Sequence, residues 1–206
     1  MPPRHAAALE HLRSADPRLG EWIDVAGACG LQRQRRGTHF DAIARSIVYQ
    51  QLSGKAAATI HGRVLGLYGG RHPTPRELVA TPVPKLRAAG LSGRKTEYLQ
   101  DLARHAIDGS VPFDQLHELD DAEVIEALTR IRGIGEWTAQ MFLMFRLGRP
   151  DVLPVLDLGV QKAIQLIYRL RRLPTPERVA TIGARWAPYR TIASWYLWRR
   201  VDNPPA

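Results

Sequence analysis

Apolar positions along the chain recur mostly at three- and four-residue spacing, and Gly and Pro clusters punctuate them where alternating Val, Ile and Thr runs would mark strands. The pattern predicts an all-α protein. Helices are expected over about His5–Ser14, Phe40–Gln51, Gly54–Tyr68, Pro75–Ala80, Arg94–Asp108, Asp121–Arg130, Glu136–Leu147, Leu158–Tyr168, Pro176–Ile182 and Tyr189–Arg200. No internal repeat is visible. Turn-like stretches such as Gly69-Gly70-Arg71-His72-Pro73 and Arg149-Pro150-Asp151 are too short to act as flexible linkers. From Trp137 to Phe145 the residues are apolar nearly all round a helix, so this segment is expected inside the protein.

Just before that segment, Leu128-Thr129-Arg130-Ile131-Arg132-Gly133-Ile134-Gly135-Glu136-Trp137-Thr138-Ala139 reads as helix, tight glycine turn, helix. Two glycines astride one apolar residue permit positive φ and close approach of another backbone, while Ile134 plugs the space between the helices. The second helix would open with unpaired N–H groups suited to a phosphate, and Arg130 and Arg132 add positive charge. An ordinary αα-hairpin is the plainer alternative. The dinucleotide-binding fingerprint fails, because no third glycine follows in register and the turn succeeds a helix, not a strand. No Gly-Lys-Ser/Thr phosphate loop exists either.

Charge supports a polyanionic partner. Lysine and arginine outnumber acids 29 to 20 across 206 residues, for a formal charge of +9 and a pI near 10.3. Cys29 is the only cysteine, which excludes an intramolecular disulfide, a cysteine-ligated iron–sulfur cluster and a multi-cysteine zinc site. The seven histidines show no His-Glu-x-x-His spacing, and no Gly-x-Ser-x-Gly elbow is present. No cofactor for catalysis is therefore expected. Arg4, Glu10, Arg13 and Asp16 interrupt the first apolar stretch, unlike a signal peptide, and no later run reaches membrane-spanning length.

The hairpin Arg132-Gly133-Ile134-Gly135-Glu136-Trp137-Thr138-Ala139 closely resembles that of the helix-hairpin-helix DNA glycosylases, in particular the 3-methyladenine DNA glycosylase II family. Three further segments extend the likeness in the family's order, from about Thr38 to Arg200. Ile47-Val48-Tyr49-Gln50-Gln51-Leu52-Ser53 with Lys55-Ala56-Ala57 resembles the segment that enters the duplex. Val152 to Val160 resembles the catalytic loop, and Trp186-Ala187-Pro188-Tyr189-Arg190-Thr191 the C-terminal signature. The resemblance implies two helical lobes flanking a cleft: residues 38–145, ending in the hairpin, and residues 1–37 with 146–206, carrying the catalytic carboxylate. The N-terminal β-rich domain of larger members is not expected.

The resemblance implies an enzyme that flips an alkylated base, of the 3-methyladenine type, from double-stranded DNA and hydrolyses its N-glycosidic bond. Asp157 would be the carboxylate facing the sugar, although taken alone the residue reads first as the N-cap of the helix that follows, a role compatible with the other. Where many members carry a second acid, this chain has Leu156. Trp137 stands where strand-nicking members carry a nucleophilic lysine, which implies a monofunctional hydrolase without lyase activity. Trp137, Tyr189 and Met141 would line the base pocket. Gln51, with Leu52, would fill the gap left by the flipped base, or else simply end an exposed helix. Gly133, Gly135, Arg132, Thr138, Ser53, Lys55, Arg94 and Lys95 are the expected phosphate contacts, and Arg190 would brace the C-terminal signature. The main-chain carbonyls of Thr129, Ile131 and Ile134 would hold a structural Na+ or K+. A monomer is expected, in an intracellular location, cytoplasmic and nucleoid-associated if bacterial. A non-catalytic helix-hairpin-helix DNA-binding module is the alternative, needing the hairpin and the charge but not Asp157.

Overall fold

The computed structural model describes residues 5–202; Arg4, one of the charges breaking the first apolar stretch, lies outside them. Among the described residues all regular structure is helical. In chain order the α-helices are α1 (Ala6–Ala15), α2 (Pro17–Ala26), α3 (His39–Tyr49), α4 (Gly54–Gly66), α5 (Pro75–Ala80), α6 (Val83–Ala88), α7 (Gly93–Asp108), α8 (Asp121–Thr129), α9 (Glu136–Phe142), α10 (Leu158–Ile167), α11 (Pro176–Gly183) and α12 (Arg190–Asp202). None is long and apolar enough to cross a membrane. The chain divides into two compact units, one of Met1–Arg33 with Leu143–Ala206 and the other of Gln34–Phe142.

Local chemistry starts most of these helices. Thr38 with Asp41, Thr74 with Glu77 and Asp120 with Glu123 form reciprocal capping boxes ahead of α3, α5 and α8. Ser53, Ser92 and Thr175 cap α4, α7 and α11 with their hydroxyls. Two helices, α2 and α6, fall where the apolar spacing predicts none. Each carries proline in its first turn, where the missing N–H costs nothing. Asp16 caps α2 by accepting the Leu19 N–H at 3.2 Å.

In the unit that holds α1 and α12, these helices with α2, α10 and α11 enclose a core of Leu12, Leu19, Ile23, Val160, Ile164, Val179, Trp186, Tyr196 and neighbours. A buried polar node ties it together. The Asp16 carboxylate accepts from Trp186 Nε1–H at 2.8 Å and from the Tyr168 hydroxyl, and burial with this carboxylate drives the phenol far above its ordinary pKa. Trp22 Nε1–H donates to the Tyr196 carbonyl at 2.8 Å, so the polar edges of these large rings are satisfied.

In the Gln34–Phe142 unit, α7 is the long central helix, packed against α3, α5 and α6, with Thr96, Leu99, Leu102 and Ala103 buried. The helix expected over Glu136–Leu147 is not uniform: α9 ends at Phe142 and a π-helical turn runs from Leu143 to Leu147. Phe142, Leu143 and Met144 are all buried, in keeping with an all-round apolar segment. Trp137 departs furthest from the expected burial, 48% exposed at the start of α9, while Met141 and Phe145 are half-buried.

Candidate nucleic-acid interface and carboxylate site

The hairpin between α8 and α9 takes its shape from two buried isoleucines and one glycine of positive φ. Ile131 and Ile134 are buried, and the Ile134 N–H closes the turn on the Ile131 carbonyl at 3.0 Å. Gly133 has φ +81°, and a Cβ there would lie 2.2 Å from Tyr98 Cδ2, so the ring of this α7 residue lies against the glycine. Asp101, three residues further along α7, accepts the Arg132 N–H at 2.9 Å while the Arg132 side chain remains exposed. Gly135 differs from Gly133 because its φ is ordinary and a Cβ would meet nothing within 4 Å. The hairpin is open at Gly135 and closed at Gly133. Thr138, expected to reach a phosphate, is buried instead, because the first turn of α9 directs it inward and Trp137 outward.

The segment from Ile47 to Ser53 departs from its expected form in one respect. Gln51 is not the end of a helix: α3 stops at Tyr49, Gln50 is extended at ψ 133°, and Gln51 has the left-handed φ of 55°. Gln51, Leu52, Ser53 and Lys55 are all exposed, and Ser53 also caps α4. Gln50 points the other way, its Nε2–H donating to the Gly133 carbonyl at 2.9 Å. Lys95, expected to reach a phosphate, is turned inward instead: its ammonium donates to the carbonyls of Val48 at 2.8 Å and Gln50 at 2.7 Å. Two of its three N–H groups are thereby occupied by backbone carbonyls, and desolvation pulls its pKa below the usual lysine range. Its neighbour Arg94 is exposed at the start of α7.

In the other unit, Asp157 caps α10. Its Oδ1 accepts the Val160 N–H at 2.8 Å and the Trp198 Nε1–H at 2.9 Å. The capping role and a fixed carboxylate thus coincide in one oxygen. Trp198 lies on α12 and is itself stacked on Phe145, with ring centroids 5.9 Å apart. A Cβ at Gly159 would come within 3.0 Å of both Asp157 Oδ1 and Trp198 Cδ1, which explains a glycine in the first turn of α10. Leu156 and Leu158 flank the carboxylate and are exposed at 59% and 53%. Trp198 was not foreseen from sequence, because nothing in the pattern of a C-terminal helix links it to a residue 41 positions earlier.

The C-terminal signature is anchored from both sides. Trp186 is wholly buried on Asp16, and Arg190 makes a two-pronged ion pair with Asp151, at 2.6 Å through Nε and 2.8 Å through an Nη. The guanidinium holds the Asp151 carboxyl below the usual carboxylate range. Tyr189, half-buried with its ring edge-on to His11, borders a cavity of about 340 Å³ together with Leu31, Arg33, Met144, Arg149 and Ile192. Met141 belongs to the Gln34–Phe142 unit and is half-buried one turn after Trp137.

The family described as "HhH-GPD superfamily base excision DNA repair protein" matches residues 44–188. DNA-3-methyladenine glycosylase 1 of Schizosaccharomyces pombe is 38% identical over 195 residues, spanning 92% of this chain and 84% of the relative. A crystal structure of a DNA-3-methyladenine glycosidase from Bacillus halodurans superposes with a TM-score of 0.83 at 40% identity, covering 94% of this chain and 88% of that one. The Schizosaccharomyces pombe 3-methyladenine DNA glycosylase, solved in complex with abasic DNA, gives a TM-score of 0.86 at 33% identity, with 96% and 98% covered. By the extent of these matches, and by a helical hairpin and capping carboxylate in the family's order, the chain belongs to the HhH-GPD superfamily of base excision DNA repair proteins.

Proposed function

We propose that the protein is a monofunctional DNA glycosylase that extrudes an alkylated base of the 3-methyladenine type from duplex DNA and hydrolyses its N-glycosidic bond. The observation that carries this reading is the Asp157 carboxylate, fixed through Oδ1 by the Val160 amide and the Trp198 indole. Cleaving the bond builds positive charge on the sugar carbon C1′. A pre-oriented anion stabilises that charge without reorganising during the reaction and orients the attacking water. A ring-alkylated purine already bears positive charge, so it departs without a strong general acid. The exposed apolar Leu156 and Leu158 beside Asp157 would exclude water from the sugar and strengthen the electrostatic effect.

The Gln34–Phe142 unit supplies the DNA contacts. The hairpin, open at Gly135 with Arg132 beside it, would take a backbone phosphate. Ser53, Lys55 and Arg94, all exposed, would add phosphate contacts. Gln51 and Leu52, held out on a left-handed turn, would fill the vacated stack. The exposed indole of Trp137 offers a π face to a cationic base, and the absence of an amine at this position supports hydrolysis without strand nicking.

The carbonyls of Thr129, Ile131 and Ile134 suit a hard monovalent cation. Thr129 ends α8, so its carbonyl has no intrahelical donor, and Ile131 keeps a second lone pair beyond the bond from Ile134. A cation held there would add positive charge beside the phosphate.

Incubating the protein with methylated duplex DNA and measuring free bases tests the reading. Asp157→Asn should lower release by about two to three orders of magnitude while binding persists. The DNA strand should stay whole until treated with hot alkali, and borohydride should trap no covalent adduct. Binding without release by the wild type would leave a non-catalytic DNA-binding module.

A further inference from the structure

The carbonyls that end α3 face a difficulty. In a continuing helix the Val48 carbonyl would accept from the Leu52 N–H, but the chain turns out at Gln50 and Gln51, and the Leu52 N–H goes to Tyr49 at 3.4 Å. The Val48 and Gln50 carbonyls are left pointing toward α7. Lys95 meets both of them, a cation at the negative end of a helix. The same face of α7 carries Tyr98, whose ring lies against Gly133, and Asp101, which holds the Arg132 amide. Residues 95, 98 and 101 are spaced by three, so they lie along one side of the helix. Gln50 closes the circuit by donating to Gly133.

We propose that Lys95 is a positioning residue for base extrusion: its ammonium sets the left-handed turn that projects Gln51 and Leu52, and with Gln50 it couples that turn to the phosphate-binding hairpin. This rests on the duplex-entering role given to Gln51 and Leu52 above. The cation acts through the backbone of the turn, and its work is to hold the inserting side chains out at the distance from Gly133 that the bound duplex requires. Two charge-assisted hydrogen bonds bias the turn toward its projecting form by about tenfold or more in population.

The test uses a duplex with 2-aminopurine beside a tetrahydrofuran abasic analogue. Affinity is read by anisotropy, and insertion by the rise in 2-aminopurine fluorescence at saturating protein. Lys95→Met should keep its dissociation constant within about threefold of wild type, because the phosphate contacts persist, yet lose most of the fluorescence rise. Lys95→Arg, which can still donate to both carbonyls, should recover most of the rise. Gln51→Ala combined with Leu52→Ala is the reference. If that pair leaves the rise intact, the duplex-entering reading itself fails; if the pair abolishes the rise and Lys95→Met does not, the inference about Lys95 is overturned. A parallel loss of affinity, rise and melting temperature in Lys95→Met would also overturn it, as a general structural role. Should that variant fail to fold, Gln50→Leu cuts the link to Gly133 while leaving the ammonium in place, and the same loss of rise at preserved affinity is expected.

Discussion

The two hairpin glycines make separable predictions. At Gly133 a methyl group would overlap three Tyr98 ring atoms, at 2.2, 2.4 and 2.6 Å, on a backbone with φ +81°. The left-handed conformation costs a non-glycine residue about 1–2 kcal/mol, and forcing a methyl into occupied space adds about 1–3 kcal/mol. Gly133→Ala should therefore lose about 2–5 kcal/mol of stability, or roughly 5–15 °C in melting temperature for a chain of this size. Gly135→Ala has neither penalty, since its φ is ordinary and its surroundings are open. Its methyl would instead stand where a phosphate must approach, so it should melt with the wild type but bind duplex about tenfold more weakly. Circular dichroism melts and anisotropy titrations against an abasic duplex separate the two effects. A Gly133→Ala protein that melts with the wild type would refute the account of the turn, and unchanged affinity in Gly135→Ala would remove the open end of the hairpin from the interface.

Trp198→Phe keeps a ring against Phe145 but deletes the N–H bonded to Asp157. Single-turnover base release should fall about tenfold with little change in DNA affinity. In an Asp157→Asn background the same change should cost almost nothing further, and an additive loss would mean that Trp198 does not act through the carboxylate. The Asp151–Arg190 pair gives a pH signature. Because the folded-state pKa of Asp151 is depressed, the pair's stabilisation is complete at neutral pH and is lost as pH falls below about 4, toward the folded-state value. Denaturant titrations over pH 2–7 should show a shallower acid loss in Asp151→Asn than in wild type; parallel profiles would count against the pair.

Some features were legible in the sequence because they depend on neighbours along the chain. Apolar spacing marked ten of the helical segments, and the Gly-Ile-Gly turn after Leu128 marked the hairpin, since a tight turn needs those residues wherever it sits. Asp157 stands out by the resemblance of its loop to the family's, and its local reading as an N-cap is met at α10. Helices α2 and α6 are hidden from the apolar spacing because proline in a first turn resembles a breaker; Asp16 caps α2, whereas α6 follows Pro82 and has no side-chain cap.

Other features were decided only by tertiary structure. Whether a lysine faces water or two backbone carbonyls depends on a helix end 45 residues away from Lys95, and hydropathy is blind to that distance. Trp198 and Asp157 meet because α10 and α12 pack together. Which of the two hairpin glycines has no room for a side chain is decided by the ring of Tyr98 lying against Gly133 and open space at Gly135. Sequence fixes local conformation through steric and hydrogen-bond preferences of a few residues. The partners of each charged or aromatic group are set by packing, where burial makes an unmet donor or carbonyl too costly to leave alone.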